Sequence, residues 1–171
     1  MPPATIEKPR AAGPDSDLGG NWRVIDRNDN HNTFDHVAQT LARVLPGWYI
    51  RPAKPVRLPG QMTMNEPDRC VVRGPARNYR GQHPGPADVA LVVEVADSSL
   101  ADDRELGTKV YGPAGLPVYW IVNLVDRQVE VYTGPGPAGY AARRDYRPGD
   151  AIPVAIDGQQ LGQIAVDDIL P

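Results

Sequence analysis

Two acidic residues belong to an apolar segment that spans residues 87–97. The segment reads ADVALVVEVAD, with Asp88 at its start and Glu94 inside the apolar run. Side chains of a strand alternate between two faces, so these two residues are predicted to share a face. An ionised carboxylate is costly to bury unless it is paired or binds a metal. Glu94 is therefore either a metal ligand or half of an ion pair with an arginine, and the residues alone leave both interpretations open.

A further carboxylate, Asp68, follows Pro67 at the start of another predicted strand. Two carboxylates brought together from adjacent strands would form a site of hard oxygen ligands. Mg²⁺ prefers oxygen ligands and keeps several of its waters when it binds protein. A divalent-cation site formed by Asp68 and Glu94 is thus one interpretation, and an ion pair of Glu94 with an arginine remains the other.

The helices and strands that must position these residues are predicted from the spacing of apolar residues and from the turn residues between them. A helix is predicted before Pro46-Gly47, because its apolar residues recur every three to four positions. Strands are predicted over 48–58 (at a sheet edge), 65–74, 87–97, 117–125 and 127–134, with a short helix over 100–111 and a tight hairpin at Asp126-Arg127. This order predicts an α/β (α+β) protein with a mixed central sheet flanked by helices.

The remaining C-terminal segments are short. YAARRDYR, AIPVAI and QLGQIAV predict a small antiparallel C-terminal addition, and residues 166–170 predict a helical turn. Residues 1–20 lack apolar periodicity and are expected to form a flexible tail ahead of a single domain over 21–171.

Composition excludes several classes of protein. The net charge of −3 in 171 residues argues against a broadly basic nucleic-acid coat. One cysteine, Cys70, excludes an internal disulfide framework and a cysteine-based zinc site. No apolar run approaches the roughly 20 residues that span a bilayer, and the N-terminus has no apolar signal segment. We therefore expect a soluble cytoplasmic protein without membrane partners.

An ordered set of motifs resembles the Uma-two family of restriction-endonuclease-like proteins, within the PD-(D/E)XK nuclease superfamily. The motifs, in chain order, are His31 at a helix start, EPDRCVV (66–72), LVVEV (91–95), Asp103-Arg104, Tyr111, GLPVYWIV (115–122) and VEVY (129–132). The similarity runs from about Trp22 to the C-terminus. No single motif is specific, and the resemblance rests on their order and spacing.

The resemblance implies a PD-(D/E)XK core and a metal-dependent endonuclease that hydrolyses DNA phosphodiester bonds. Asp68 matches the carboxylate of the Pro-Asp motif, and Glu94 matches the glutamate of the E-x-K element. Together they would hold Mg²⁺ or Mn²⁺, which would polarise the scissile phosphate and activate a water.

The catalytic lysine is where this chain departs from the family. Ala96 occupies the usual E-x-K position, and the Uma-two lysine, four residues before the tyrosine, is replaced by Gly107. Only three lysines are present: Lys8, Lys54 and Lys109. Lys109 is the candidate catalytic cation, although two residues along a regular helix correspond to a rotation of about 200°. We expect Lys109 to reach the site only from a distorted helix, which Gly107 and Gly112-Pro113 favour.

Further candidate site residues surround these motifs. His31 and Asp88 are candidate accessory residues, with a surface position as the alternative for each. The candidate phosphate contacts lie on the Asp68 strand and the loop that follows it, and they are Arg69, Arg73, Arg77 and Arg80. Surface arginines on a flexible loop would look the same in the sequence.

Three functional hypotheses therefore follow from the sequence. The first is a metal-dependent endonuclease that acts on DNA as a homodimer, because cutting both strands needs two sites and two-fold symmetry is the commonest. The second is a nuclease-derived nucleic-acid-binding or regulatory module with impaired catalysis, which the glycine at position 107 favours. The third is a non-catalytic assembly module in which Glu94 forms a structural ion pair.

Overall fold

The computed structural model describes residues 27–60 and 64–171, with side chains from residue 32 onward. The helices are α1 (Arg27–Val44) and α2 (Leu100–Leu106), and α2 continues into a π turn (Gly107–Tyr111). The strands are β1 (Tyr49–Pro52), β2 (Arg69–Val72), β3 (Val89–Ala96), β4 (Val118–Asn123), β5 (Gln128–Gly136), β6 (Gly139–Tyr146), β7 (Ala151–Ile156) and β8 (Gln159–Ala165). Short 3₁₀ turns cover Ala76–Tyr79 and Val166–Asp168. Residues 1–20, predicted to form a tail, lie outside the described residues.

Six strands form one mixed sheet in the order β1-β2-β3-β4-β5-β6. Only the β3–β4 pair is parallel among these, and the crossover between them carries α2 and the π turn. β7 and β8 form a separate antiparallel hairpin. The sheet is therefore mixed and flanked by helices, as the sequence predicts, and β1 lies at one of its edges.

The two faces of the sheet bury different elements. On one face, α1 and the β7–β8 hairpin cover side chains such as Val93, Trp120 and Val122. On the other face, α2 and the π turn cover side chains such as Val92, Tyr119 and Ile121. Because β3 is buried along its whole length, its apolar run has no alternation, which is how the sequence identified it as a central strand.

One strand assignment from the sequence is corrected. The segment YAARRDYR was expected to belong to the small C-terminal addition, but it forms β6 and extends the main sheet. The reason is that β5 continues to Gly136, and a short turn connects Gly136 to Gly139 at the start of β6. This turn allows β6 to pair with β5 in an antiparallel arrangement along the main sheet. Only β7 and β8 form the addition.

Among the residues that the structure describes, no helix is long and apolar enough to span a membrane.

Candidate active site

The carboxylates of Asp68 and Glu94 are brought together where β2 begins and β3 approaches its end. Arg69 pairs with Val93, so Asp68 lies opposite Glu94 at the next position of the antiparallel ladder. The Asp68 backbone N–H donates a hydrogen bond to Glu94 Oε2 at 3.0 Å. In return, the Val95 N–H donates to Asp68 Oδ2 at 2.9 Å. Each carboxylate is thus oriented by the backbone of the other strand.

Glu94 is also held from the opposite side of the site. The Tyr111 hydroxyl donates a hydrogen bond to Glu94 Oε1 at 3.0 Å. Tyr111 is 1 % exposed and Glu94 is 3 % exposed, whereas Asp68 is half-buried. Burial, followed by the neighbouring Glu94 charge, raises the pKa of the Tyr111 hydroxyl well above its usual value. The hydroxyl therefore keeps its proton at neutral pH and remains a donor.

The donor chemistry of this pair fits a hard divalent cation. Two carboxylates from neighbouring strands offer oxygen ligands, and Mg²⁺ is commonly bound by one or two carboxylates, waters and substrate phosphate. Within the described parts of the chain, no group of three or more His, Cys, Asp or Glu side chains could hold a metal ion. A metal at this site would therefore depend on Asp68 and Glu94, with waters or phosphate oxygens completing its coordination.

The position of the family lysine is closed in this chain. A Cβ atom on Gly107 would lie 2.5 Å from Cε1 and 2.7 Å from Cδ1 of the Tyr119 ring. Tyr119 is fully buried, and its hydroxyl donates to the Asp103 carbonyl at 3.0 Å. A lysine at position 107 would therefore require the Tyr119 ring to move.

Lys109 is not brought to the carboxylate pair. Its side chain is 70 % exposed and forms an ion pair with Glu105, one helical turn earlier. The distortion that the sequence predicted is present as the π turn, but this turn directs Tyr111 rather than Lys109 toward Glu94.

Arg69 differs from the other three arginines predicted to contact phosphate. Its guanidinium lies over the Phe34 ring, 5.6 Å from the centroid, and donates to the Asp68 carbonyl at 2.8 Å. Asp35 of α1 is 3.9 Å away. Arg69 thus connects α1 to the backbone of Asp68 and is mostly buried.

Arg73, Arg77 and Arg80 lie at the opposite end of β2 from Asp68. Four strand residues span about 13 Å, which separates these arginines from the carboxylates. Arg73 donates two hydrogen bonds of 2.7 Å to the Asp157 carboxylate, in the turn between β7 and β8. Arg77 and Arg80 are exposed at the Ala76–Tyr79 turn. The four arginines therefore do not form one patch around the metal site.

Of the two predicted accessory residues, Asp88 lies far from the Asp68–Glu94 pair, and the side chain of His31 is not described. Asp88 lies before the start of β3, at the far end from Glu94, and its carboxylate accepts a hydrogen bond from the Gly85 N–H at 2.9 Å. It stabilises the turn that leads into β3. His31 belongs to α1, but its side chain lies outside the described residues.

A second buried carboxylate, Glu130, was not identified from the sequence. Glu130 alternates with valines in the sequence of β5, and its side chain is 0 % exposed. Its oxygens accept hydrogen bonds from Arg104 at 2.6 and 3.2 Å, Tyr132 at 2.7 Å, Asn123 at 2.9 Å and Gln128 at 3.5 Å, and Arg143 lies 3.1 Å away. These contacts hold the pKa of Glu130 at about 2, against the desolvation that would raise it.

The Glu130 cluster explains two motifs to which the sequence analysis gave no role. Arg104, of the Asp103-Arg104 pair, forms an ion pair with Glu130 of the VEVY motif. Glu94, Ile121 and Glu130 occupy one row across β3, β4 and β5, so both glutamates point to the same face of the sheet. The spacing of Arg104 and Glu130 in the sequence did not indicate this contact. The one indication was that the two motifs occur in the same chain.

Comparisons with known proteins agree with this architecture. No curated protein matches the chain. A solved structure from Anabaena variabilis, described as "a putative nuclease belonging to DUF820", matches with a TM-score of 0.54 and 13 % sequence identity. The match covers 82 % of this chain and 79 % of that one, and at this identity it shows a shared fold.

A family model supplies the sequence evidence. The Uma2 model, described as "Putative restriction endonuclease", matches residues 26–165, which include both carboxylates, the π turn and the Glu130 cluster. The chain, with its nuclease-like fold, therefore belongs to the Uma2 family of restriction-endonuclease-like proteins.

Proposed function

We propose that this protein is a metal-dependent endonuclease that hydrolyses DNA phosphodiester bonds, with Mg²⁺ or Mn²⁺ held by Asp68 and Glu94. The observation that supports it is the reciprocal pairing of these two residues, in which each strand's backbone orients the other strand's carboxylate. Restriction-endonuclease-like families generally use divalent metals. When bound, the ion would polarise the scissile phosphate and lower the pKa of the attacking water.

The chain's own residues prepare the site for that chemistry. Glu94 is buried and held by hydrogen bonds, so it provides a preorganised oxygen ligand at a depth that excludes bulk water. Asp68 is half-buried and therefore lies on the side from which substrate would arrive. Two adjacent carboxylates repel each other, and this repulsion favours a cation between them.

DNA contact and a homodimer belong to the same proposal. Arg77 and Arg80 are exposed and distant from the carboxylates, so a duplex that contacts both would run lengthwise along β2. Hydrolysis of both strands would require two such sites, which a two-fold dimer supplies.

A second candidate function is a nuclease-derived nucleic-acid-binding or regulatory module with impaired catalysis. The observation that favours it is the Tyr119 ring beside Gly107, which closes the position of the family lysine. The ion pair of Lys109 with Glu105 points the same way, because the lysine that is nearest in sequence faces solvent. Metal binding would be retained and turnover would be slow or absent.

Cleavage of supercoiled plasmid with Mg²⁺ or Mn²⁺ tests these proposals. The endonuclease proposal expects cleavage by the parent, loss in Asp68→Asn and Glu94→Gln, and retention in the control Asp102→Asn, whose side chain is exposed on α2. We expect Lys109→Ala to cleave like the parent; a loss of about 10²-fold would instead restore Lys109 as the catalytic cation.

Cleavage of the plasmid by the parent distinguishes the two candidate functions. A parent that binds Mn²⁺ and DNA but leaves the plasmid intact supports the binding module. A parent that does not bind Mn²⁺ contradicts both proposals.

A further inference from the structure

The buried hydroxyl of Tyr111 makes a contact that the proposed chemistry does not yet use. It donates to Glu94 Oε1 at 3.0 Å, while the Asp68 N–H donates to Oε2 of the same carboxylate at 3.0 Å. The two donors arrive from different elements, the π turn and the start of β2. Together they define the direction in which the Glu94 carboxylate points.

The π turn is built so that Tyr111 reaches this position. Its wider backbone bonds run from Gly112 N–H to the Gly107 carbonyl at 2.9 Å and from Leu116 N–H to the Tyr111 carbonyl at 3.1 Å. Such turns often occur at functional sites, because one additional residue re-aims the side chains that follow.

Two glycines allow the turn to lie close to its neighbours. Gly107 leaves space for the Tyr119 ring, and Gly112 lies against the backbone of Gly139, which a Cβ atom would approach to 2.6 Å. The Tyr111 ring in turn packs edge-on against Tyr119, with centroids 5.1 Å apart. The hydroxyl of Tyr111 is therefore held in place by packing on several sides.

We propose that Tyr111 is a positioning residue that orients Glu94 for metal binding, an inference that rests on the proposed function. With both oxygens of Glu94 held, the carboxylate stays turned toward Asp68 without the ion having to order it. Partners that orient a metal ligand typically contribute about 10–100-fold to metal affinity. Tyr111 thus acts through Glu94 and does not itself touch the ion or substrate.

The chain contains a matched control for this contact. The Tyr132 hydroxyl donates to Glu130 Oε2 at 2.7 Å, so it makes the same phenol–carboxylate hydrogen bond outside the proposed site. Tyr111→Phe and Tyr132→Phe each remove one oxygen and keep the ring. Thermal unfolding of both variants establishes that they remain folded.

Calorimetric titration with Mn²⁺ is the first measurement. We expect Tyr111→Phe to bind Mn²⁺ about tenfold or more weakly than the parent, and Tyr132→Phe to bind it with the parent's affinity. Equal affinity in the parent and Tyr111→Phe would overturn the inference and leave the proposed function in place. An equal loss in both variants would also overturn it, because the effect would then not be specific to Glu94.

The second measurement needs no metal. Hydrogen exchange of the Asp68 amide, followed by NMR, reports the bond from that amide to Glu94 Oε2. We expect this amide to exchange several-fold faster in Tyr111→Phe and unchanged in Tyr132→Phe. If the parent binds no Mn²⁺, the proposed function fails; unchanged Asp68 exchange in Tyr111→Phe would then separately refute the positioning role.

Discussion

Glu94 and Glu130 are buried glutamates on the same face of the sheet, and their neighbours decide what each can do. Glu130 lies among Arg104, Arg143 and neutral donors, so its charge is balanced by protein groups. Glu94 lies beside another carboxylate, Asp68, and a phenol. The surroundings of Glu130 are those of a structural ion pair, and the surroundings of Glu94 suit a cation. A structural ion pair of the kind that the third hypothesis assigned to Glu94 is present at Glu130.

Stability at low pH is predicted to depend on Glu130. The pKa of Glu130 is lowered from 4.5 to about 2. Its ionised carboxylate therefore makes its full contribution to stability at pH values above the pKa of the unfolded state. That contribution is lost as the pH falls from about 4.5 toward 2. The shift corresponds to about 3 kcal/mol of unfolding free energy at neutral pH.

Urea unfolding of the parent and Glu130→Gln between pH 7 and pH 3 checks this. We expect the variant to be less stable at pH 7 and the difference to shrink as the pH is lowered. A difference that stays constant with pH would show that the charge of Glu130 is not the stabilising feature.

At the scale of elements, the π turn accounts for both the tyrosine contact and the missing lysine. The same backbone that directs Tyr111 toward Glu94 brings Gly107 against the Tyr119 ring. A residue with a side chain at position 107 would push the turn away from β4. The glycine is therefore required by packing in this chain.

Gly107→Lys is predicted to destabilise the protein and not to raise cleavage above the level of the parent. Forcing a side chain into a filled site typically costs about 1–3 kcal/mol. Gly81→Lys is the matched control, because its Cβ would meet nothing within 4 Å and its φ is not positive. Thermal unfolding and the plasmid assay measure both effects. A stable Gly107→Lys variant that gains cleavage would contradict this packing argument and support a nuclease that has lost only its lysine.

For the whole molecule, the topology places the Asp68–Glu94 pair and Arg73 at different ends of the same strands. Antiparallel pairing brings the start of β2 beside the end of β3, where Asp68 and Glu94 meet. The same pairing brings Arg73 beside Asp88 at the other end, where the Arg73 N–H donates to the Asp88 carbonyl at 2.8 Å. Residues that look clustered in the sequence are thereby divided between two ends of the sheet.

Removal of residues 1–20 is predicted to leave the fold intact. These residues lack the apolar periodicity that could offset the entropy of ordering them. A chain that starts at Asn21 should melt within a few degrees of the parent in circular dichroism. A large drop in Tm would show that this segment packs on the domain or on a second copy of it.

Much of the fold could be predicted from local patterns in the sequence. The continuous apolar run of β3, the three-to-four spacing in α1 and the hairpin at Asp126-Arg127 each correspond to an observed element. The pairing partner of β6 could not be predicted, because an exposed strand of alanines and arginines fits a main sheet or a small addition equally well.

The sequence by itself determined that Asp68 and Glu94 were candidate partners, because a carboxylate inside an apolar strand needs a compensating group. Only the tertiary structure decided which other side chains join them. Hydrogen bonds between residues distant in sequence, such as Tyr111 to Glu94 and Arg104 to Glu130, depend on strand register and on the rotation of the π turn. Within the π turn, Tyr111 reaches the site, whereas Lys109, two residues earlier, faces solvent.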